Sequence, residues 1–215
     1  MCTSKRSAGK KIVIGGTKNI HLSQIKALAP DLVIANKEEN VKEQVEELAE
    51  DLPVWVTDVN NLEEALGMIG DIGLLTHTNE KAKQLVNDIE RSFAQIEPLT
   101  PAINTAYLIW RDPLMTVGGD TFIHDMLLRC GFHNIFDQQT RYPAISVEDL
   151  RRLNCELLLL SSEPYPFNEK HIQELQDWLP YTKIMLADGE MFSWYGSRLL
   201  QSPGYFERLI ADINI

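Results

Sequence analysis

Nothing in this sequence supplies a disulfide framework or a cysteine-built metal centre. Its three cysteines, Cys2, Cys130 and Cys155, show no CxxC spacing, the arrangement that such sites use. Cys130 and Cys155 sit in apolar surroundings and read as core fillers. The five histidines, His21, His77, His124, His133 and His171, are scattered, without HxxxH or a close histidine–carboxylate set, so no dedicated metal site is expected. No serine lies in a GxSxG turn, and no cysteine has an evident histidine partner. Gly15-Gly16-Thr17-Lys18 and Gly118-Gly119-Asp120-Thr121 lack the P-loop and GxGxxG spacings. The second reads as a turn followed by a helix N-cap at Asp120 or Thr121.

Long apolar runs are missing too. None approaches the roughly 20 residues of a membrane-spanning helix, and the opening Met1-Cys2-Thr3-Ser4-Lys5-Arg6-Ser7 has no apolar segment of the kind a secretory leader needs. Basic residues are in deficit: 20 Lys and Arg against 31 Asp and Glu give a net charge of −11. That balance argues against nucleic acid or an anionic membrane as partner, and fits solubility or a basic protein surface. With 44% hydrophobic and 24% charged residues the composition is that of an ordinary globular chain.

What the sequence does have is a repeat at a distance of 125 positions. Residues 22–38, from Leu22 to Glu38, match residues 147–163, from Val147 to Glu163, without a gap. Only Leu28/Leu153, Leu32/Leu157 and Glu38/Glu163 are identical, but apolar residues recur at every matching core position. Each copy reads as a short amphipathic helix, a tight connection and a strand buried on both faces. Two copies so far apart indicate two similar lobes rather than a solenoid. Two lobes imply a cleft, the usual place for a ligand.

Around the repeat, strands alternate with helices, which predicts parallel sheets covered by helices, an α/β fold. The apolar run Ile12-Val13-Ile14 stops at Gly15-Gly16; an acidic helix is expected over 41–50, a strand at 53–58, and a helix capped by Asn60-Asn61 with Leu62, Leu66, Ile69 and Leu74 in register. A longer helix runs from Thr78 to about Ile96, with Ala82, Leu85, Ile89, Phe93 and Ile96 on one stripe. It ends at Pro98-Leu99-Thr100-Pro101 and is the candidate connector. Beyond it come a strand over 105–110, a helix from Thr121, an apolar run at 134–136, the second repeat copy, a helix over 168–178, a strand at 183–188 and a last helix from Ser197. The expected division is therefore a first lobe over 1–77, an interlobe helix over 78–97 and a second lobe over 98–215. Subtracting 125 from the strand near 105–110 and the helix near 121–131 puts their counterparts before Met1. The first lobe thus reads as incomplete by one strand and one helix, with any export leader upstream of the chain.

Ligands of open α/β sheets bind beyond the carboxyl ends of the strands, so the loops after each strand hold the candidate site. They carry Asn36, Lys37 and Glu38; Trp110, Arg111 and Met115; Tyr165; and Phe192, Trp194, Tyr195 and Arg198. Large aromatic residues in loops are either packed locally or line a ligand site, and their concentration along one edge favours the site. Trp178, on a helix, reads as core. Glu38 and Glu163 occupy equivalent places in the two lobes. With Arg111 they are the only evident acid/base set for a rival reading, an enzyme of doubly wound fold.

The whole chain from about Ile12 resembles the substrate-binding proteins of ABC importers for cobalamin, heme and iron–siderophores, the helical-backbone metal receptors, and within them the vitamin B12-binding branch. The resemblance is carried by Val13-Ile14-Gly15-Gly16-Thr17-Lys18-Asn19, by residues 26–40 with their Lys-Ala-Leu-Ala-Pro-Asp-Leu-Val-Ile core, by Trp110-Arg111-Asp112-Pro113 with residues 116–121, and by residues 188–198. It implies a class III periplasmic-binding-protein fold, two lobes on a rigid helix that resists closure, and a binder rather than an enzyme. The implied cargo is a cobalamin-like corrinoid or another metal chelate, with no cofactor. The implied partner is a membrane ABC permease, with no nucleic acid and a monomeric state. The family is extracytoplasmic, whereas a chain without a leader reads as cytoplasmic. Carried over residue by residue, Asn36 stands where some members place a cleft tryptophan. Trp110, Phe192 and Trp194 or Tyr195 stand as aromatic clamps, and acids near Glu38–Glu43 and at Glu163 as permease-docking groups.

Overall fold

A computed structural model describes residues 11–213. The chain divides into two compact units, one ending at Asp58 and the other beginning at Val59.

The smaller unit opens with a two-residue antiparallel pair, β1 (Gly15–Gly16) and β2 (Asn19–Ile20). Gly15 has φ +107°, and a Cβ there would fall 2.4 Å from the Asn19 carbonyl oxygen, so the tight turn requires glycine. Helix α1 (Leu22–Leu28), strand β3 (Val33–Asn36), helix α2 (Lys42–Ala49) and strand β4 (Val54–Thr57) follow. β3 and β4 pair in parallel, Val33 opposite Val54 through Asn36 opposite Thr57. Helix and strand thus stand where the first repeat copy places them, but β3 is not buried on both faces. Ile34 is 46% exposed and Val56 of β4 47%, because a two-stranded sheet with two short helices cannot cover both of its sides. Among the described residues of this unit only Ile25, Ala35, Leu48 and Thr57 are buried.

The larger unit begins with α3 (Leu62–Leu75) and α4 (Asn79–Phe93). Asn61 caps α3 by accepting the Glu64 N–H at 2.9 Å, as the sequence predicts. α4 is 15 residues long, shorter than expected, since its last turn gives way to i→i−3 bonds at Gln95 and Ile96. The stripe holds: Ala82, Ile89 and Phe93 are buried, and Leu85 and Ile96 pack against the same core. Both helices bury their apolar faces with Phe206 and Leu209, which places them in this unit.

Next come β5 (Ile103–Leu108), α5 (Phe122–Arg129), β6 (Phe132–Asn134), α6 (Val147–Arg152), β7 (Leu157–Ser161), α7 (Glu169–Trp178), β8 (Lys183–Ala187), α8 (Gly189–Ser193), a 3-10 turn (Ser197–Leu200) and α9 (Ser202–Asp212). The strands form one all-parallel sheet in the order β6-β5-β7-β8. β5 ends two residues early because Trp110 leaves the sheet to pair with Met115. α8 has no pattern of its own in the sequence, being a single turn started by the Asp188 side chain accepting the Glu190 N–H at 3.1 Å.

Alternate residues of the strands feed two cores. Ile103, Tyr107, Leu157 and Leu159 face one side, with α3, α4, α5, α8 and α9. Ala106, Leu108, Leu158 and Leu160 face the other, with Leu150, Phe167 and Leu179. The Leu157–Leu160 run is therefore buried on both faces, as the second repeat copy predicts, and each leucine removed from water contributes about 1.5–3 kcal/mol. Cys130 and Cys155 are buried in these cores, and burial drives both thiols well above their ordinary range. Among the described residues no helix is long and apolar enough to cross a membrane.

Candidate functional site

The strand order places a topological switch between β5 and β7: α5 carries the chain to β6 on one side, and α6 brings it back past β5 to β7. Loops at the carboxyl ends beside such a point form the crevice in which α/β sheets bind ligands. Here they are the Trp110–Met115 loop and the Ser162–Phe167 loop.

Trp110 is 41% exposed. Its ring meets Tyr165 edge to face at 5.6 Å, and Tyr165 continues to Phe167 at 4.7 Å and to His171 at 5.5 Å. The Trp110 indole N–H donates to the Asp112 carbonyl at 3.2 Å. His171 is held as a neutral ring: its Nδ1 accepts the Asn168 N–H at 3.0 Å, leaving Nε2 to donate to the Tyr165 hydroxyl at 3.3 Å. Burial lowers its pKa, and the positive charges of Arg111 and Lys170 act in the same direction. Met115 is half-buried, bridging Trp110 and Ala144. Arg111 is committed to Glu174 of α7. The two, with Phe167, His171 and Trp178, line a small cavity of about 110 Å³. Trp178 is 54% exposed, so it is not the core residue the sequence implies. It sits on the last turn of α7, where it lines the small cavity beside His171 and Leu175.

A larger open cavity of about 640 Å³ lies at the ends of β7 and β8, lined by Ser162, Glu163, Leu186, Ala187, Asp188, Glu190, Arg198 and Tyr205. Arg198 is paired with Glu190, and its guanidinium lies 5.6 Å from the centre of the Trp194 ring. Its Nε is buried without a hydrogen-bond partner. The Trp194 indole donates to Glu163 Oε1 at 2.7 Å. The Tyr205 hydroxyl accepts the Asp188 N–H at 2.8 Å, and burial raises its pKa.

Trp110, Met115, Tyr165, Trp194, Tyr195 and Arg198 thus stand at or beside the carboxyl edge of the large sheet. Phe192 does not: it is fully buried, its ring packed at a tilt against Tyr107 at 5.0 Å and Phe206 at 4.7 Å, because α8 turns it inward. Tyr195 packs on Phe122 at 5.3 Å. Asn36, Lys37 and Glu38 lie in the smaller unit. Asn36 Oδ1 accepts the N–H groups of Glu38 and Glu39, both at 3.0 Å, and shapes its own loop. Lys37 pairs with Asp58. The Glu38 carbonyl accepts from Lys18. Arg111 and Glu163 line different cavities, so these two members of the enzyme reading are not brought together. Sequence reasoning missed Ser162, Asp188 and Glu190, which sit in the loops it scanned, and Tyr205, which has no local signal because it reaches the site from α9.

The sequence profile of the periplasmic binding proteins matches residues 1–178. The chain belongs to the periplasmic binding protein family. It is 24% identical over 196 residues to a vitamin B12-binding protein of Pectobacterium carotovorum subsp. carotovorum, an alignment covering 87% of this chain and 70% of that one. The fold matches that of the periplasmic heme-binding protein BhuT in complex with two hemes, with a TM-score of 0.80 at 16% identity over 98% of this chain and 86% of the other. It also matches the periplasmic vitamin B12-binding protein BtuF of Vibrio cholerae, with a TM-score of 0.71 at 17% identity over 93% and 81%. The α/β class III binding-protein architecture expected from the sequence is therefore the observed one, and these relatives are binding proteins.

Proposed function

We propose that this chain is the substrate-binding component of an ABC importer, a non-enzymatic extracytoplasmic carrier that takes a cobalamin-like corrinoid or another metal chelate to a membrane permease. The observation that carries the reading is the set of side chains at the carboxyl edge of the β6-β5-β7-β8 sheet. Trp110 packs on Tyr165 of the Ser162–Phe167 loop, and Trp194 with Arg198 stands beside the large cavity. Aromatic rings suit the flat conjugated face of a macrocycle. Arg198, which lines the cavity while paired with Glu190, suits an anionic group at its rim, since guanidinium forks bind carboxylates and phosphates. A cavity of about 640 Å³ is of the size that holds a small organic ligand, and a larger chelate would extend beyond it toward Trp110. Family membership and the ligands in the relatives' names support the same class.

Titrating the protein with cyanocobalamin, hemin and a ferric siderophore while following tryptophan emission tests it. Saturable quenching by at least one of them is expected, weakened about tenfold when Trp110 is replaced by Ala, the loss of one stacked aromatic contact. Absence of quenching by all three contradicts the proposal.

A further inference from the structure

The repeat equates Glu163 with Glu38, and the sequence offers both as acids for docking or catalysis. In the larger unit Glu163 is instead built into the fold. Its Oε1 accepts two hydrogen bonds, from the Trp194 indole at 2.7 Å and from the Ser193 hydroxyl at 2.9 Å. The backbone under it is fixed as well. The Ser161 hydroxyl donates to the Glu163 carbonyl at 2.6 Å and accepts its N–H at 3.3 Å, and Gly189 donates its N–H to the Ser162 hydroxyl at 3.0 Å. The fold also reserves space for the glutamate stem: a Cβ at residue 189 would lie 2.5 Å from Glu163 Cγ, well inside contact distance. A charged acceptor on an indole N–H is a strong, directional tether. The tethered ring in turn lies under the Arg198 guanidinium, and Arg198 lines the large cavity.

We infer that Glu163 is the positioning residue of this cavity: its carboxylate fixes the Trp194 indole, and the indole face, together with the Glu190 carboxylate paired with Arg198, sets the direction of that guanidinium toward the anionic rim of a bound chelate. The inference rests on the carrier reading for the ligand, but the tether itself does not. It separates the two repeat copies in role, because the glutamate acts through a tryptophan and an arginine that the first copy lacks at the matching offsets, where Ile69 and Gly73 stand. Removing the negative charge is harmless so long as an oxygen remains for the indole.

The test combines nitrogen-15 NMR of the four tryptophan indoles with chelate titration. In the ligand-free protein the Trp194 N–H resonance, identified by its disappearance in Trp194→Phe, moves in Glu163→Ala and stays near its wild-type position in Glu163→Gln. Hemin, cyanocobalamin and ferric-siderophore titrations then show affinity for whichever one binds falling by about tenfold or more in Glu163→Ala, the scale of a lost hydrogen bond to a charged group. Glu163→Gln stays within about threefold, a difference well under 1.4 kcal/mol. In a Trp194→Phe background Glu163→Ala adds no further loss, as coupled residues require. An indole resonance unmoved by Glu163→Ala, equal disturbance by Gln and Ala, or additive losses in the double variant overturn the inference. Failure of all three chelates to bind wild-type protein, with the resonance pattern as described, overturns the ligand role and the carrier reading while upholding the tether.

Discussion

His171 is neutral in the folded chain because its Nδ1 must accept the Asn168 N–H that starts α7, and a proton there would turn an acceptor into a second donor facing a donor. Burial lowers its pKa from the ordinary value of about 6.5, and the charges of Arg111 and Lys170 act in the same direction. His124 is lowered for the same main reason, burial. Below about 6.5 the unfolded chain binds protons that the folded chain refuses, so stability falls as pH drops through that window. Melting temperature measured from pH 7.5 to 5 should decline, and less steeply in His171→Asn, whose side-chain oxygen keeps an acceptor for the cap; an equal decline would remove His171 from this role. Asp149 works in a lower window. Hydrogen bonds from Arg152 and Ser146 bring its carboxyl down to about 2, so its contribution is complete above about pH 4 and fades between about 4 and 2. At this scale the sequence was readable where chemistry is local, as with the caps at Asn61 and Thr121. It was not readable for Phe192, whose aromatic ring in a loop-like segment looks the same whether α8 turns it in or out.

Elements differ in how firmly their sequence dictates them. α6 opens with a reciprocal capping box, Ser146 and Asp149 each satisfying the other's backbone N–H. Ser146→Ala should cost about 1 kcal/mol, visible as a lower urea midpoint. β7 is fully buried, and Leu158→Ala should cost about 2–5 kcal/mol on the same assay. Ile34→Ala in the equivalent strand of the smaller unit should cost less than about 1 kcal/mol, because Ile34 is already half in water. Equal losses at the two positions would mean that β3 has cover like that of β7. The repeat revealed both helix–strand pairs, yet an apolar run of four does not tell a strand covered on two faces from one covered on part of each. α8 escaped because one turn has no periodicity.

At the scale of the molecule, the two units are built to different depth. The four buried residues among the described part of the smaller unit contrast with the paired cores of the larger one. Opening free energy follows buried apolar contact, so amides of β3 and β4 should exchange with deuterium well before those of β5 and β7; matching protection would contradict this. The alternation of strands and helices made the α/β class legible, and the carboxyl-end rule led to most residues of the edge. What stayed hidden was how those residues are joined. Glu163 to Trp194, and Asp188 to Tyr205, are contacts between segments far apart in the chain.

The central claim is that the carboxyl edge of the large sheet binds a metal chelate. Isothermal titration of the wild-type chain and of the Trp110→Ala, Trp194→Ala double variant with cyanocobalamin, hemin and a ferric siderophore tests it most directly. The account predicts saturable binding of at least one chelate to the wild type, weakened at least about a hundredfold in the double variant, two aromatic hot-spot contacts together. Heat of binding for none of the three, or equal affinity in the variant lacking both rings, would contradict it.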